Sequence, residues 1–239
     1  FYFLFSCINF LMQNKILFNQ QFKNNISKKN ILSILNNNSN IHGPGKNYLD
    51  VQSFLKKEFN FKNTFLTNSC TSALEIAALS LDMKKNDEVI LPSFSFITTG
   101  SSFVRTGAKL IYCDIEKENL MPSLNQILSK ITKKTKAIVI LHYQGFSINY
   151  LDELVKICKK KKIYLIEDAA QALGSKFKKT NLGKFGDLAC FSFHHTKNFH
   201  SGIGGCLVVN NNKLHKKIEY IYDKGSNRID KIKGKIDYF

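Results

Sequence analysis

The stretch KAIVILHYQGFSINYLDELVKICKKKKIYLIED, residues 136–168, carries the pattern that decides the fold. It opens with an apolar run, continues with a segment whose apolar residues recur at helical spacing, and closes with a second apolar run. The two runs predict buried strands, and the middle segment predicts an amphipathic helix. A strand–helix–strand unit of this kind is typical of two parallel strands joined by a helical crossover.

The same alternation extends over most of the chain. Residues 13–47 are polar and asparagine-rich and predict a short helix followed by a loop. Strands alternating with helices predict an α/β fold with a mixed, mostly parallel sheet and helices on both faces. Further strands are predicted at 64–68, 87–92, 109–115, 188–193 and 206–210, and further helices at 48–59, 71–81, 97–107, 122–131 and 213–225.

The formal net charge of +17 raises the question of a nucleic-acid partner. Only two of the 35 basic residues are arginine, Arg105 and Arg228, and arginine is the residue that contacts phosphates and bases in bidentate geometry. The lysines are scattered and accompany 24 asparagines. We therefore expect a solvated basic surface and no nucleic-acid partner; a basic nucleic-acid binder is the alternative, and it rests on charge alone.

Length and composition allow one large α/β domain or two small ones. The chain has 239 residues, of which 44% are hydrophobic, enough for a sizeable core. No window approaches the ~20 apolar residues of a membrane helix, so we expect no membrane span. The six cysteines form no C-x-x-C pair, which favours a reducing, cytoplasmic location.

The first eleven residues, FYFLFSCINFL, are apolar but lack a basic segment and a clear cleavage site. Met12 is the first methionine. We expect residues 1–11 to be a non-structural upstream segment and residues 12–239 to form the folded domain. A short signal-like segment is the alternative.

Polar segments follow several of the predicted strands. In parallel sheets, ligands bind at the carboxyl ends of the strands, so we predict a site built from these segments. One of them opens a helix near Cys70, where free backbone N–H groups favour an anion and the Thr71 hydroxyl adds a donor; ordinary N-capping is the alternative. The segments are 68–71, 92–96, 142–143, 168–171 and 194–197.

Two charged residues at strand ends point to a specific chemistry. Asp168 ends a strand predicted to be buried on both faces, where a carboxylate needs a cation or several donors; a helix N-cap is the alternative. Lys197 ends a core strand just before the glycines of SGIGG, 201–205. A phosphate site, a carboxylate for a pyridinium nitrogen and a lysine for an aldehyde together fit pyridoxal phosphate. Phe96 could cover the ring.

Two other interpretations of residues 190–205 have less support. The GIGG segment precedes a strand rather than a helix, so it does not match the dinucleotide-binding fingerprint. His194, His195 and His200 could suggest a metal, but neighbouring residues on a strand point to opposite faces, and no acidic or thiol cluster completes a ligand set. We expect no metal site.

Six motifs resemble those of the DegT/DnrJ/EryC1/StrS sugar-nucleotide aminotransferases and follow one another in the order found in that family. The resemblance runs from about KILFNQ, 15–20, to GKIDYF at the end of the chain. It implies the large domain of the fold type I pyridoxal-phosphate transferases. The motifs are NSCTSALEIAAL (68–79), DEVILPSFSFITTGSSFVRTGAKLIYCDI (87–115), LHYQG (141–145), IEDAAQALGS (166–175), CFSFHHTKNFHSGIGG (190–205) and DKGSNR (223–228).

The resemblance implies a role for each matching residue. Lys197 matches the catalytic lysine that bonds the cofactor aldehyde, and Asp168 matches the partner of the pyridine nitrogen. Gln171 matches a residue beside the ring, near its phenolic oxygen. In this family a histidine in place of the lysine marks dehydratases, so Lys197 favours transamination.

Four further residues match cofactor-binding positions. Ser192 matches a phosphate ligand five residues before the lysine. Cys70 and Thr71 occupy the phosphate-binding helix start, where many members have Gly-Thr. Phe96 matches the aromatic residue that stacks on the ring.

The function implied is transfer of an amino group from an amino-acid donor, expected to be glutamate, to a nucleotide-linked 4-keto-6-deoxy sugar. The product would serve cell-surface polysaccharide synthesis, as in lipopolysaccharide or enterobacterial common antigen. Members are homodimers with a smaller C-terminal domain, so we expect residues 12–239 to be a C-terminally truncated, cofactor-binding large domain. A truncated, non-catalytic remnant that binds the cofactor or a partner is the alternative.

Overall fold

The computed structural model describes residues 25–36, 45–232 and 234–237. The chain divides into two units, Phe1–Ile41 and His42–Phe239. The described part of the first unit is helix α1, Asn25–Asn36, which buries no side chain. It falls within the range predicted to hold a short helix. The prediction for residues 1–11 concerns residues outside the described ones.

The second unit carries a seven-stranded sheet and a separate two-stranded one, β6–β7. The strands are β1 Thr64–Thr67, β2 Glu88–Pro92, β3 Lys109–Cys113, β4 Thr135–Leu141, β5 Tyr164–Asp168, β6 Lys176–Phe177, β7 Thr180–Asn181, β8 Leu188–Ser192 and β9 Gly205–Val209. The helices are α2 Lys46–Phe59, α3 Cys70–Ser80, α4 Ile97–Val104, α5 Leu124–Ser129, α6 Leu151–Lys161, α7 Asn212–Tyr222 and α8 Arg228–Ile232, with a 3₁₀ turn at Tyr143–Gly145.

The large sheet has the strand order β1-β9-β8-β5-β4-β2-β3. Strands β8, β5, β4, β2 and β3 are parallel, whereas β9 runs antiparallel to both β8 and β1. The opening stretch forms β4, α6 and β5, and the two strands pair in parallel with Leu141 opposite Asp168. The predicted α/β fold with a mixed, mostly parallel sheet is confirmed.

Two apolar cores lie on opposite faces of this sheet. Helices α2, α5 and α6 contribute to one core, and helices α3, α4 and α7 contribute to the other. Alternation along β5 sends Leu165 into the first core and Ile166 into the second. Burying each such side chain contributes about 1.5–3 kcal/mol, which explains why both faces of the central strands are apolar.

Several details differ from the sequence predictions. Helix α4 ends at Val104, three residues before the predicted end. The β6–β7 pair and helix α8 were not predicted, because two-residue strands and a five-residue helix show too little periodicity. All five cysteines in the described part of the chain are free thiols. None of the helices described there is long and apolar enough to cross a membrane.

Side chains from two helices cover the outer edge of β1. The Gln52 amide on α2 donates a hydrogen bond to the Thr64 carbonyl oxygen. The Tyr222 hydroxyl at the end of α7 donates to the Leu66 carbonyl oxygen at 2.6 Å. These two carbonyls, two residues apart, lie on the strand edge away from β9.

The first residue of β9 lies directly against the start of α3. A Cβ atom at Gly205 would stand 2.4 Å from the Ser69 carbonyl carbon and 2.6 Å from the Cys70 nitrogen. Both neighbours are backbone atoms, which cannot move aside as a side chain can. The glycine therefore sets how closely the helix start approaches the end of the sheet.

We predict that Gly205→Ala lowers the free energy of unfolding by about 2 kcal/mol, because the added methyl group forces the α3 start away from β9. Urea unfolding of the two proteins, followed by circular dichroism, measures this difference. An unchanged unfolding midpoint would contradict the close packing of Gly205 against Ser69.

Candidate active site

A cavity of about 520 Å³ opens at the carboxyl ends of β5 and β8 and beside the start of α3. Every site residue predicted from the sequence lines it. The chain segments that hold them are up to 127 positions apart in sequence and meet because their strands end at one edge of the sheet. The seven residues are Cys70, Thr71, Phe96, Asp168, Gln171, Ser192 and Lys197.

The start of α3 presents N–H groups and hydroxyls to this cavity. Ser69 is the N-cap, and its hydroxyl accepts a hydrogen bond from the Ser72 N–H at 3.1 Å. The Thr71 hydroxyl donates to Thr98 at 3.1 Å. Burial raises the pKa of the Cys70 thiol well above its ordinary value, so this thiol is neutral. Ser69 therefore caps the helix, and anion binding at Cys70 and Thr71 stays a prediction.

Asp168 lies at the base of the cavity and is 2% exposed. One carboxylate oxygen accepts a hydrogen bond from the Thr99 hydroxyl at 2.6 Å, and the other accepts one from the Ala170 N–H at 3.2 Å. Burial raises the pKa of Asp168, while these hydrogen bonds and the charges of His142 and Lys197 lower it. A turn follows Asp168 rather than a helix, so the N-cap interpretation is wrong.

The sequence predictions assigned no role to Thr99 or to the pair behind Asp168. The ring of His142 and the carboxylate of Glu167 are both fully buried, and Nε2 lies 2.8 Å from Oε2. Glu167 also accepts hydrogen bonds from three backbone N–H groups, of Gly183, Phe185 and Gly186, at 2.7–2.8 Å. The acid within the apolar run IYLIED is a signal that Glu167 needs buried partners, but it does not identify His142 as one of them.

Lys197 sits in a loop that turns back from β8 toward β9. Its N–H donates to the His194 carbonyl at 2.9 Å. The loop closes on itself where the His195 N–H donates to the Gly202 carbonyl, also at 2.9 Å. Within the described residues no ion pair or hydrogen bond involves the Lys197 amine, which leaves it available to a molecule in the cavity.

The histidines near Lys197 do not lie on a strand, contrary to the reasoning from sequence. Strand β8 ends at Ser192, and the rings of His194 and His195 lie 4.0 Å apart, centroid to centroid, instead of pointing to opposite faces. His194 Nδ1 contacts the Thr196 hydroxyl at 2.9 Å. In the described part of the chain, no three His, Cys, Asp or Glu side chains are placed to hold a metal ion.

The remaining predicted residues, Phe96, Gln171 and Ser192, also line the cavity. Phe96 precedes α4, and its side chain is mostly exposed. Gln171 accepts a hydrogen bond from the Gln144 N–H at 2.6 Å, which fixes its side chain. Ser192 accepts one from the His194 N–H at 3.3 Å. The roles assigned to these residues stay predictions.

Comparison with known proteins connects this cavity to one family. Residues 23–236 match the model of the DegT/DnrJ/EryC1/StrS aminotransferase family. The chain belongs to that family.

Relatives within the DegT/DnrJ/EryC1/StrS family include two curated enzymes. The chain is 36% identical to the GDP-perosamine synthase of Escherichia coli O157:H7 over 155 residues, which is 65% of this chain and 42% of the synthase. It is 38% identical over 142 residues to the dTDP-4-dehydro-2,3,6-trideoxy-D-glucose 4-aminotransferase of Saccharopolyspora spinosa, covering 59% of this chain and 37% of that enzyme.

A solved structure shares the fold. The putative sugar aminotransferase Spr1654 from Streptococcus pneumoniae, in its PLP form, superposes with a TM-score of 0.78 and 26% identity, covering 88% of this chain and 56% of that one. The chain thus spans about half the length of these relatives, or less.

We predict a pH-dependent effect of Asp168→Asn on the stability of the ligand-free chain. An unfolded aspartate titrates near pH ~3.9. Burial raises the pKa of Asp168 in the folded chain. Below the unfolded pKa, the protonated carboxyl therefore contributes fully to the free energy of unfolding. This contribution is lost as pH rises through the folded pKa. The asparagine side chain does not titrate, so the variant loses no stability in this way. The free energy of unfolding of the variant minus that of wild type should therefore rise with pH and then level off.

Urea unfolding of both proteins between pH 4 and 8 measures this difference. Ionisable groups that do not interact with Asp168 titrate alike in both proteins and cancel in the difference. A stability difference that stays constant across the range would show that burial does not perturb this carboxyl.

Proposed function

We propose that this chain is the cofactor-binding part of a pyridoxal-phosphate-dependent sugar-nucleotide aminotransferase. The observation that carries the proposal is that Lys197, Asp168 and the start of α3 open into one cavity in a member of an aminotransferase family. The solved relative Spr1654 is described in a PLP form, which supports the choice of cofactor.

The residues around the cavity fit this cofactor. The volume of about 520 Å³ lies within the range of small-molecule sites. The Asp168 carboxylate suits a protonated ring nitrogen, and the α3 N–H groups with the Thr71 and Ser192 hydroxyls suit a phosphate. Phe96 lies at the mouth, where an aromatic ring can cover a flat heterocycle.

When bound, pyridoxal phosphate supplies an electron sink for charge that develops on the substrate carbon. Lys197 would hold its aldehyde end. With its amine free, Lys197 would act as general acid and base and move a proton to and from the substrate carbon. Asp168, buried and held by Thr99, would keep the ring nitrogen protonated.

The relatives support the proposed substrate class. One is named for a GDP-linked and the other for a dTDP-linked sugar, and we propose a nucleotide-linked 4-keto-6-deoxy sugar as the amino acceptor. We further propose an activity like that of dTDP-4-amino-4,6-dideoxygalactose transaminase, which the sequence motifs resemble. Glutamate as amino donor, a cytoplasmic location and a role in cell-surface polysaccharide synthesis complete the proposal.

We also propose that the chain pairs with a second copy of itself around the cavity mouth. Four large apolar side chains are exposed on or beside the segments that line the cavity: Phe96 (69%), Ile97 (76%), Phe146 (68%) and Ile203 (70%). Phe96 and Ile203 line the cavity itself. Exposed apolar side chains that cluster on one surface are typical of protein–protein interfaces.

The first test concerns Lys197. Protein loaded with pyridoxal phosphate should absorb visible light, and borohydride should fix the cofactor covalently on Lys197, because its amine has no partner among the described residues and opens into the cavity. Peptide mapping by mass spectrometry locates the label.

Two variants sharpen this experiment. Lys197→Ala should abolish the label, whereas Lys179→Ala, which removes an exposed lysine outside the cavity, should retain it. A label that persists in Lys197→Ala would refute the assignment. If L-glutamate leaves the spectrum of the loaded protein unchanged, the result favours the alternative, a non-catalytic remnant that binds the cofactor.

The second test concerns the exposed apolar side chains. The 239-residue polypeptide should self-associate, because these side chains are stabilised when covered. Ile97→Ser and Phe146→Ser together should shift it toward a monomer in sedimentation velocity. The control is Ile232→Ser on α8, where the side chain is equally exposed, at 69%. If Ile232→Ser causes the same shift as the double variant, the proposed interface at the cavity mouth is not specific.

A further inference from the structure

One buried hydroxyl on helix α4 does not bond to its own helix. Helices α3 and α4 bury three serine or threonine side chains, Ser80, Thr99 and Ser102. Ser80 and Ser102 each donate a hydrogen bond at 2.7 Å to a backbone carbonyl of the same helix, which is a common partner for such hydroxyls. Thr99 donates instead to the Asp168 carboxylate, 69 positions later in the chain, at 2.6 Å.

Close packing of α4 on the sheet fixes the position of Thr99, which is itself fully buried. At the next residue, Gly100, a Cβ atom would stand 2.8 Å from Leu110 Cδ1 and 3.2 Å from Leu91 Cδ1. These two leucines belong to the neighbouring strands β3 and β2. The Thr99 hydroxyl therefore reaches Asp168 from a helix that lies directly on the sheet and has little room to shift.

The Asp168 carboxylate has few partners. It accepts hydrogen bonds from the Thr99 hydroxyl and from the Ala170 N–H, and the one from Thr99 is shorter, at 2.6 Å against 3.2 Å. Within the described residues, Thr99 is the only side chain that donates to this carboxylate. Because Asp168 is 2% exposed, water cannot readily replace a lost donor, and each hydrogen bond matters more than it would at the surface.

The titratable groups around Asp168 are the same whether or not the Thr99 hydroxyl is present. Glu167 precedes Asp168 on β5, and its side chain leaves the opposite face of the strand. Burial raises the pKa of the two nearby thiols, so both are neutral. A substitution at Thr99 therefore isolates one hydrogen bond. The other titratable side chains that interact with Asp168 are His142, Lys197, Cys70 and Cys190.

We propose that Thr99 is a positioning residue: its hydroxyl holds the Asp168 carboxylate for the ring nitrogen of pyridoxal phosphate and so gives the site its preference for a cofactor that carries this nitrogen. This inference rests on the proposed function, in which Asp168 pairs with the ring nitrogen. It adds that a residue of α4, which need not touch the cofactor, contributes to the choice of cofactor through Asp168.

The test compares two compounds, pyridoxal phosphate and deazapyridoxal phosphate, in which a C–H group replaces the ring nitrogen. Absorbance titrations of the full chain give the affinity for each. Wild type should prefer pyridoxal phosphate, because the deaza compound offers the buried carboxylate no partner. Thr99→Val keeps the shape of the side chain but lacks the hydroxyl, and it should reduce this preference by about tenfold. A loss of packing alone would weaken both compounds alike and leave their ratio unchanged.

Three further variants control the experiment. Thr99→Ser keeps the hydroxyl and should retain the wild-type ratio of affinities. Thr99→Ala lacks the hydroxyl without adding a methyl group in its place, so it should behave like Thr99→Val. Ser102→Ala removes a hydroxyl that is equally buried on the same helix but bonds within it, and it should leave the ratio unchanged. If Thr99→Val and Thr99→Ala both keep the wild-type ratio, the role of Thr99 is structural and the proposal is wrong.

A second measurement needs no cofactor. In the ligand-free chain, carbon-13 NMR of the Asp168 carboxyl should show titration at a higher pH in Thr99→Val than in wild type, because the hydrogen bond from Thr99 lowers the pKa of Asp168. Equal midpoints would overturn the proposal. If wild type binds neither compound, the proposed function fails, while this titration still decides whether Thr99 acts on Asp168.

Discussion

The carboxylate of Glu167 ties together the segments that build the cavity. A buried charge without partners would cost several kcal/mol, so the 183–186 loop must turn its N–H groups inward to reach it. The loop can do so only because Gly186 is a glycine, since a Cβ there would stand 2.6 Å from the Leu165 carbonyl oxygen. This loop leads into β8 and fixes its register, with Leu188 opposite Ile166.

That register decides which side chains can meet. Asp168 ends β5 opposite Cys190, and β8 continues two residues further before the chain turns into the loop with Lys197. The acid and the amine therefore face the same cavity. Gly205 also shapes this cavity, because the absence of a side chain lets the start of α3 lie against the first residue of β9. Gly186, Gly205 and the buried Glu167 thus help to place Asp168 and Lys197 at the same cavity.

Much of this arrangement could be predicted from the sequence. Apolar runs and helical spacing indicated the strands and helices of the sheet, and the strand ends indicated which polar segments meet. Asp168 ends β5 as predicted, whereas Lys197, which was predicted to end a strand, lies in the loop after β8. Contacts that depend on register could not be predicted. Thr99 reaches Asp168 across 69 positions and Glu167 reaches His142 across 25, and no local pattern encodes either contact. The orientation of the histidine rings was predicted wrongly because His194 and His195 lie in the loop after β8, which ends at Ser192, and not on the strand.

The covered edge of β1 has a consequence for how the sheet ends. An edge strand normally exposes a row of free backbone groups that another chain can pair with. On β1, the Thr64 and Leu66 carbonyls already accept hydrogen bonds from Gln52 and Tyr222, so an incoming strand would find these acceptors occupied. The Gln52 and Tyr222 side chains thus hinder the pairing of another chain with β1 and the aggregation that such pairing causes. They do so although β1 itself contains no charged residue.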